Sequence, residues 1–312
     1  MADPRKLLLL DTASLYYRAY YGVPDSVTAP DGRPANAIRG LLEFMARLIA
    51  DRQPASMAAC WDDDWRPQFR VSAIPSYKAH RVVEASDADG DTGDEDVPDN
   101  LAPQVDAIAN VLDAFGIARI GHEGFEADDV IATLTVRHDG PVDIVTGDRD
   151  LFQLVNDERE VRVLYTAKGV KAADVIDEAA ITAKYAIPGR AYAAFAALRG
   201  DPSDGLPGAK GIGEKTAAAI VQQFTTVPEI LVALDADDPE LPAKPKLLAS
   251  RDYLAIAPSV VDVVTSVPLQ ERDLSLPREP RDAKALEALS AEWGLAAPLR
   301  RLAESIDNVT IG

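Results

Sequence analysis

Short apolar runs alternate with helical patterns along the first two thirds of the chain. Five runs are typical of buried strands: Leu7–Leu10, Met57–Trp61, Ile117–Ile120, Val142–Thr146 and Val161–Leu164. Between the first two, apolar residues from Ile38 to Ile49 recur at helical spacing, with Asn36 as the predicted N-cap. A second helical pattern covers Val105–Phe115, and Gly116 is placed to end it. Strands separated by amphipathic helices predict an α/β fold with a mainly parallel central sheet flanked by helices.

Helical patterns dominate beyond Asp174. An apolar stripe from Ala217 to Phe224 follows a glycine-rich turn, and amphipathic segments return near Leu286–Leu302. We therefore expect an α/β core over residues 1–175 and a helical region, packed on it, over residues 176–312. One segment differs from both: Glu84–Asp99 contains eight acidic residues, no basic residue and almost nothing apolar. That composition predicts a mobile loop.

Composition narrows the possible classes of protein. The 312 residues are 47% hydrophobic, which excludes a disordered chain, and no apolar run is long enough for a signal peptide or a membrane span. The single cysteine, Cys60, excludes a disulfide framework, and three scattered histidines make a zinc site improbable. A net charge of −19 also argues against a generic nucleic-acid coat, which usually carries a basic surface.

Three of the predicted strands run into aspartates. Asp11 follows the first strand, Asp62 the second, and Asp148 with Asp150 the fourth. A single aspartate at a strand end is more often a turn or a helix cap. However, the carboxyl ends of parallel strands meet at one edge of a sheet, where ligands bind. Three such positions at one edge therefore predict a shared site.

Two further acidic groups extend this set. Glu126, Asp128 and Asp129 open a third predicted helix, and Asp201 and Asp204 lie in a Pro/Gly turn. Taken alone, the first group is as often only a complement to a helix dipole, and the second is more often only a turn. Two carboxylates 4 Å apart repel by about 4 kcal/mol at an effective dielectric near 20, so nine at one rim require cations. Oxygen ligands select hard ions, and we expect Mg²⁺ or Mn²⁺ in a two-metal phosphodiesterase site.

The ordered motifs resemble those of the flap endonuclease family, especially the 5′-nuclease domain at the N-terminus of bacterial DNA polymerase I and the bacteriophage nucleases. They run from about Leu7 to Leu302 and include LLLLDTASLYYRAYY, CWDDD, YKAHR, GFEADDVIATL, IVTGDRDLFQLV and LRGDPSDGLPGAKGIGEKTA. The resemblance implies a stand-alone, cytoplasmic and nucleoid-associated protein. It also implies a PIN-like 5′-nuclease core, a helical arch at about residues 77–103 and a helix–hairpin–helix at about residues 200–224.

Residue roles follow from the same resemblance. The implied metal ligands are Asp11, Asp62, Glu126, Asp128, Asp129, Asp148, Asp150, Asp201 and Asp204. Lys78 and Arg81, at the base of the arch, would act catalytically on the scissile phosphate, while Tyr77 would stack on a frayed base. Arg18 and Arg70 would hold phosphates. The hairpin would grip duplex DNA, with K⁺ at its carbonyls, through Lys210, Gly211, Gly213, Lys215 and Thr216.

The implied function is a structure-specific 5′-nuclease with flap endonuclease and 5′–3′ exonuclease activities in DNA replication and repair. Its substrates would be DNA with 5′ flaps, nicks or 5′ ends. The protein would work together with a DNA polymerase and a ligase, and it would not associate with membranes. Two alternatives are a PIN-type endoribonuclease, which typically stops before a helix–hairpin–helix, and a non-catalytic DNA-binding module, which would be expected to lose its acids. The nine site acids and the eight acids of Glu84–Asp99 carry 17 of the negative charges, so the rest of the chain has a net charge of only −2. The overall charge of −19 therefore does not argue against a DNA partner.

Overall fold

The computed structural model describes residues 5–82 and 97–309. The prediction of a mobile acidic loop at Glu84–Asp99 therefore lies almost entirely outside the described residues, as does the middle of the predicted arch. None of the helices in the described ranges is long and apolar enough to cross a membrane.

A central sheet of six strands organises the described part of the chain. The strands are β1 (Leu7–Asp11), β2 (Ser56–Cys60), β3 (Ala118–Ile120), β4 (Val142–Thr146), β5 (Val161–Tyr165) and β6 (Asp174–Ile176). They lie in the order β3-β2-β1-β4-β5-β6, and only β6 runs antiparallel to its neighbour. The five predicted strands are confirmed. The sequence reading missed β6, a three-residue strand at the sheet edge.

Helices connect and cover these strands. They are α1 (Thr12–Gly22), α2 (Asn36–Arg52), α3 (Gln68–Ala73), α4 (Ala102–Phe115), α5 (Ala127–Arg137), α6 (Glu178–Tyr185), α7 (Tyr192–Arg199), α8 (Glu214–Val221), α9 (Val227–Asp235), α10 (Lys244–Ala249), α11 (Arg251–Ile256), α12 (Pro258–Val261), α13 (Ala283–Trp293) and α14 (Ala296–Asp307). Short 3-10 helices occupy Ala79–Arg81, Asp150–Leu154, Val170–Ala172, Gly189–Ala191 and Pro202–Asp204.

The two faces of the sheet bury different parts of the chain. Because side chains alternate along a strand, Leu7 and Leu9 face one layer, and Leu8 and Leu10 face the other. The first layer contains α5 and the helical region from α6 to α12. The second contains α2 and α4, and the C-terminal helices α13 and α14 pack against these two. The last two helices thus cover the α/β core, although the sequence reading grouped them with the helical region.

One of the two predicted helix ends holds and the other is wrong. Gly116 ends α4 with a φ of 97°, a left-handed conformation that favours glycine. Asn36 is the first residue of α2 rather than its cap, because its side-chain amide donates to the carbonyls of Tyr20 and Val23. The free N–H groups of α2 instead donate to Oε1 of Gln104, a buried side chain on α4.

Candidate active site

Six of the nine predicted carboxylates line one cavity of about 390 Å³ at the carboxyl edge of the sheet. Three of them follow the adjacent strands β2, β1 and β4, and the others come from the start of α5 and the turn after α7. They are Asp11, Asp62, Glu126, Asp128, Asp148 and Asp201. The strand order therefore gathers residues that lie up to 190 positions apart in the sequence.

Backbone and hydroxyl groups fix the carboxylates that follow the strands. Asp11 caps α1 by accepting from the N–H of Ser14 at 3.1 Å, and its other oxygen accepts from the Thr146 hydroxyl at 2.6 Å. That same hydroxyl accepts from the N–H of Asp148 at 2.8 Å, so Thr146 connects the ends of β1 and β4. Asp62 accepts from the N–H of Ala127 at 2.8 Å, which connects β2 to α5.

Burial and mutual repulsion raise the pKa of three aspartates in and beside the cavity. Burial, together with the charge of Asp62, raises the pKa of Asp11 from 3.8 to about 7. Burial and the nearby Asp148 raise the pKa of Asp128 and of Asp150 well above the ordinary range. A bound cation would reverse this effect by favouring the ionised form. The electrostatics thus fit a site that is completed by positive charge.

Glu126 receives hydrogen bonds from three directions. Its carboxylate accepts from Lys78 Nζ at 2.8 Å, from the Tyr77 hydroxyl at 2.9 Å and from Arg70 Nη1 at 3.0 Å. Burial raises the pKa of Glu126, while Lys78 and Arg70 act against that rise. Lys78 and Arg81 both line the cavity, so the structure brings the two predicted catalytic cations to the carboxylates.

The turn that carries Asp201 and Asp204 is attached to the base of the predicted arch. The N–H of Lys78 donates to the carbonyl of Asp204 at 3.0 Å, and Ser76 Oγ donates to the carbonyl of Gly205 at 2.7 Å. Arg81 also pairs with Asp204, with 3.0 Å between Nη2 and Oδ1. A side chain at Gly205 would meet the Ser76 carbonyl oxygen at 2.0 Å. The two segments are therefore held in contact at a position that only glycine allows.

Three sequence assignments need correction because the side chains are buried away from the cavity. Asp129 is fully buried, and its two oxygens pair with Arg70 at 2.6 and 2.8 Å while also accepting from the N–H groups of Glu126 and Val264. Arg70 is 2% exposed and therefore cannot reach a phosphate. Tyr77 is 4% exposed, so its ring is not presented to a base. Arg70 and Asp129 form a structural ion pair behind the cavity.

The remaining predicted residues lie beside the cavity or on the outer surface. Asp150 and Asp204 adjoin Asp148, whose charge raises the pKa of both, although burial is the larger cause. Arg18 lies in a groove that shares Ser14 and Tyr17 with the cavity.

Across the hairpin and the first turn of α8, four predicted residues are exposed and Thr216 is half-buried. The exposed residues are Lys210, Gly211, Gly213 and Lys215. Two contacts from neighbouring helices brace this hairpin: Lys246 Nζ donates to the Gly211 carbonyl at 2.7 Å, and the N–H of Lys210 donates to Ser250 Oγ at 3.0 Å.

Two arginines at the site were not singled out from the sequence. Arg149 lines the cavity, and Arg149 and Arg199 lie 3.5 and 3.3 Å from the same oxygen of Asp201. The position of Arg149 between Asp148 and Asp150 was a usable signal. Arg199 carried no comparable signal, because it ends a helix two residues before Asp201.

The donor set fits hard divalent cations. Its ligands are carboxylate oxygens, and burial with like charge disfavours their ionised forms when no cation is bound. Within residues 5–82 and 97–309, no three acidic, histidine or cysteine side chains are already arranged to hold an ion.

Comparison with known proteins assigns the chain to a family. The family model described as 5′-3′ exonuclease, N-terminal resolvase-like domain, matches residues 6–186, and that described as 5′-3′ exonuclease, C-terminal SAM fold, matches residues 187–284. A Streptomyces coelicolor 5′-3′ exonuclease is 58% identical over 299 residues, which cover 95% of this chain and 98% of the relative.

Two further similarities are more distant. DNA polymerase I of Mycobacterium bovis is 36% identical over 287 residues, which cover 91% of this chain and 30% of the polymerase. The T5 D15 protein co-crystallised with metal ions has a TM-score of 0.60 at 17% identity, over 98% of this chain and 99% of that one, so the fold is shared. These matches confirm the predicted family and fold. The chain belongs to the 5′–3′ exonuclease family of nucleases.

Proposed function

We propose that this nuclease hydrolyses DNA at 5′ flaps, nicks and 5′ ends with Mg²⁺ or Mn²⁺ held by the cavity carboxylates. The observation that carries the proposal is the single cavity that joins six carboxylates to the cations Lys78, Arg81 and Arg149. Acidic oxygens suit hard metal ions, and the basic side chains suit the phosphate of a substrate.

The cavity residues divide into two roles. Asp11, Asp62, Asp128, Asp148 and Asp201 would hold the ions, with Asp150 and Asp204 as further candidates beside them. Bound divalent ions supply a water nucleophile of lowered pKa and stabilise the leaving oxygen.

The second role belongs to the cations on the cavity wall. Lys78 and Arg81 enter from the base of the arch, where they would orient the scissile phosphate and offset its developing negative charge. Arg149 would add a third cation at the same wall.

The exposed hairpin before α8 would hold the duplex next to the cut. Gly211 has a φ of 77° and is exposed, so backbone groups are accessible to a phosphate. Lys210, Lys215 and Thr216 would contact the backbone without reading bases. A K⁺ ion at the hairpin carbonyls belongs to this proposal. One of these carbonyls, that of Gly211, already accepts from the Lys246 ammonium.

Replication and repair provide the proposed setting, in which a DNA polymerase displaces a 5′ strand and a ligase seals the trimmed nick. The match to part of DNA polymerase I supports the coupling to a polymerase. A similar fold in the T5 protein, which was crystallised with metal ions, supports the choice of cofactor.

A labelled flap substrate tests the proposal. We expect Mg²⁺ or Mn²⁺ to give short labelled products that end near the flap junction, and EDTA to abolish them. Asp148→Asn should remove most cleavage and leave DNA binding measurable. The matched control is Asp63→Asn, since Asp63 is exposed and pairs with Arg119 outside the cavity. Cleavage in EDTA, or a wild-type rate for Asp148→Asn, would refute the metal assignment.

A further inference from the structure

Tyr77 presents its hydroxyl, rather than its ring, to the active site. The residue is 4% exposed, and it belongs to the hydrophobic core cluster that also contains residues of β1 and α5. Its hydroxyl lies 3.0 and 2.9 Å from Oε1 and Oε2 of Glu126. Because Glu126 is itself only 3% exposed, this hydrogen bond is shielded from water. Tyr77 is therefore placed to act on the position of Glu126.

Glu126 in turn holds Lys78. Its Oε1 accepts from both Lys78 Nζ, at 2.8 Å, and the Tyr77 hydroxyl. Arg70 Nη1 binds Oε2 at 3.0 Å from the buried ion pair with Asp129. Two donors from the protein interior thus fix the carboxylate, and the third donor is the ammonium on the cavity wall.

Lys78 needs such an anchor. Its side chain has four rotatable bonds, and an unanchored ammonium would spread over many positions. Its backbone is already constrained, with a φ of 48° and an N–H bonded to the Asp204 carbonyl. Of its three ammonium donors, one binds Glu126 and one reaches the Trp65 carbonyl at 3.4 Å. One donor remains for a phosphate in the cavity.

We propose that Tyr77 is a positioning residue, whose hydroxyl holds the Glu126 carboxylate so that Glu126 sets the Lys78 ammonium against the substrate phosphate. The inference rests on the proposed contact between Lys78 and the phosphate. Tyr77 would then act through its hydroxyl oxygen, and the effect of removing that hydroxyl on cleavage would depend on Lys78. Base stacking has no such dependence. The Lys78 ammonium also lies 5.1 Å from the centroid of the Tyr77 ring, and a change to phenylalanine keeps that ring while removing the hydroxyl.

A double-mutant cycle tests the dependence. Single-turnover cleavage of a 5′-flap substrate in Mg²⁺ is measured for Tyr77→Phe, Lys78→Met and the double variant. We expect Tyr77→Phe to cleave about 10- to 100-fold more slowly, since a misplaced catalytic group costs up to about 100-fold. The dissociation constant of the flap substrate, measured in Ca²⁺, should stay within about twofold. The double variant should be no slower than Lys78→Met, because the hydroxyl acts only through the ammonium.

Tyr253→Phe is the matched control, because its hydroxyl also donates a shielded hydrogen bond, to the Ala197 carbonyl at 2.9 Å, away from the cavity. The melting temperature of Tyr253→Phe should be similar to that of Tyr77→Phe, but Tyr253→Phe should cleave the flap substrate at the wild-type rate. A wild-type rate for Tyr77→Phe would overturn the inference. So would a double variant that is slower than Lys78→Met by the same factor by which Tyr77→Phe is slower than the wild type. A wild-type rate for Lys78→Met would instead refute the proposed phosphate contact itself.

Discussion

Replacing Asp11 with asparagine should stabilise the metal-free protein while abolishing cleavage. Asp11 is 7% exposed, and burial together with Asp62 raises its pKa from 3.8 to about 7. That rise corresponds to about 4 kcal/mol of unfavourable free energy for ionising Asp11 in the folded state. Asn has no charge to bury. Its carbonyl can accept from the Ser14 N–H, and its amide can donate to the Thr146 hydroxyl.

The sign of the pH dependence follows from the raised pKa. The folded state holds the Asp11 proton to a higher pH than the unfolded state, so it binds more protons between about pH 4 and 7. The stabilisation of the folded state that comes from protonated Asp11 is fully present below about pH 4, and it is lost as the pH rises through 7. The Asp11→Asn variant does not titrate here. Its advantage over the parent should therefore be largest above pH 7 and shrink as the pH falls.

Urea unfolding in EDTA at pH 8 and pH 5.5 measures this difference. We expect Asp11→Asn to exceed the parent by about 2–4 kcal/mol at pH 8, because relaxation around the site reduces the full penalty, and by less at pH 5.5. Mg²⁺ should narrow the gap at pH 8 by stabilising the parent. Asp63→Asn, at an exposed residue outside the cavity, is the control for the loss of one surface charge. An Asp11→Asn variant that is no more stable than the parent at pH 8 would refute the reasoning.

Three further predictions concern the supports of the site. Gly205→Ala should slow cleavage by about tenfold or more, because its Cβ would displace the Ser76 backbone and Lys78 with it; Gly22→Ala, with open space around it, should cleave normally. Arg70→Met should lower the free energy of unfolding by about 3–5 kcal/mol in urea titrations, because it leaves Asp129 buried without its counter-ion; a loss below about 1 kcal/mol would contradict this. Lys215→Ala should reduce the salt dependence of duplex binding by about one ion in filter-binding titrations, and an unchanged slope would remove Lys215 from the interface.

Much of the fold was predictable because hydrophobic spacing reports burial. Apolar runs that alternate with amphipathic helical patterns predict the five parallel strands. The ends of those strands then predict the sheet edge where Asp11, Asp62 and Asp148 meet. β6 escaped because three residues at a sheet edge carry no periodic pattern. Asn36 was misassigned because its amide serves a tertiary contact, which local sequence does not encode.

Side-chain direction within the site was less predictable. The sequence marked Glu126, Asp128 and Asp129 as one acidic cluster, yet only the first two face the cavity. Asp129 points inward because a buried arginine, Arg70, neutralises it. Arg70 can be buried because its partner Asp129, although 59 residues away in sequence, is adjacent to it in space. A single sequence contains no sign of that pairing.

The packing of α13 and α14 against α2 and α4 has a consequence for biosynthesis. Trp293, Leu299, Leu302 and Ile306 complete the hydrophobic layer over the strands that carry Asp11 and Asp148. A ribosome makes those strands, α2 and α4 before it makes these covering helices. Until residue 306 has left the exit tunnel, the apolar faces of α2 and α4 that these helices cover stay exposed to water and to chaperones. The strands that position the site carboxylates are therefore made early, but the hydrophobic layer behind them is complete only once α13 and α14 have packed.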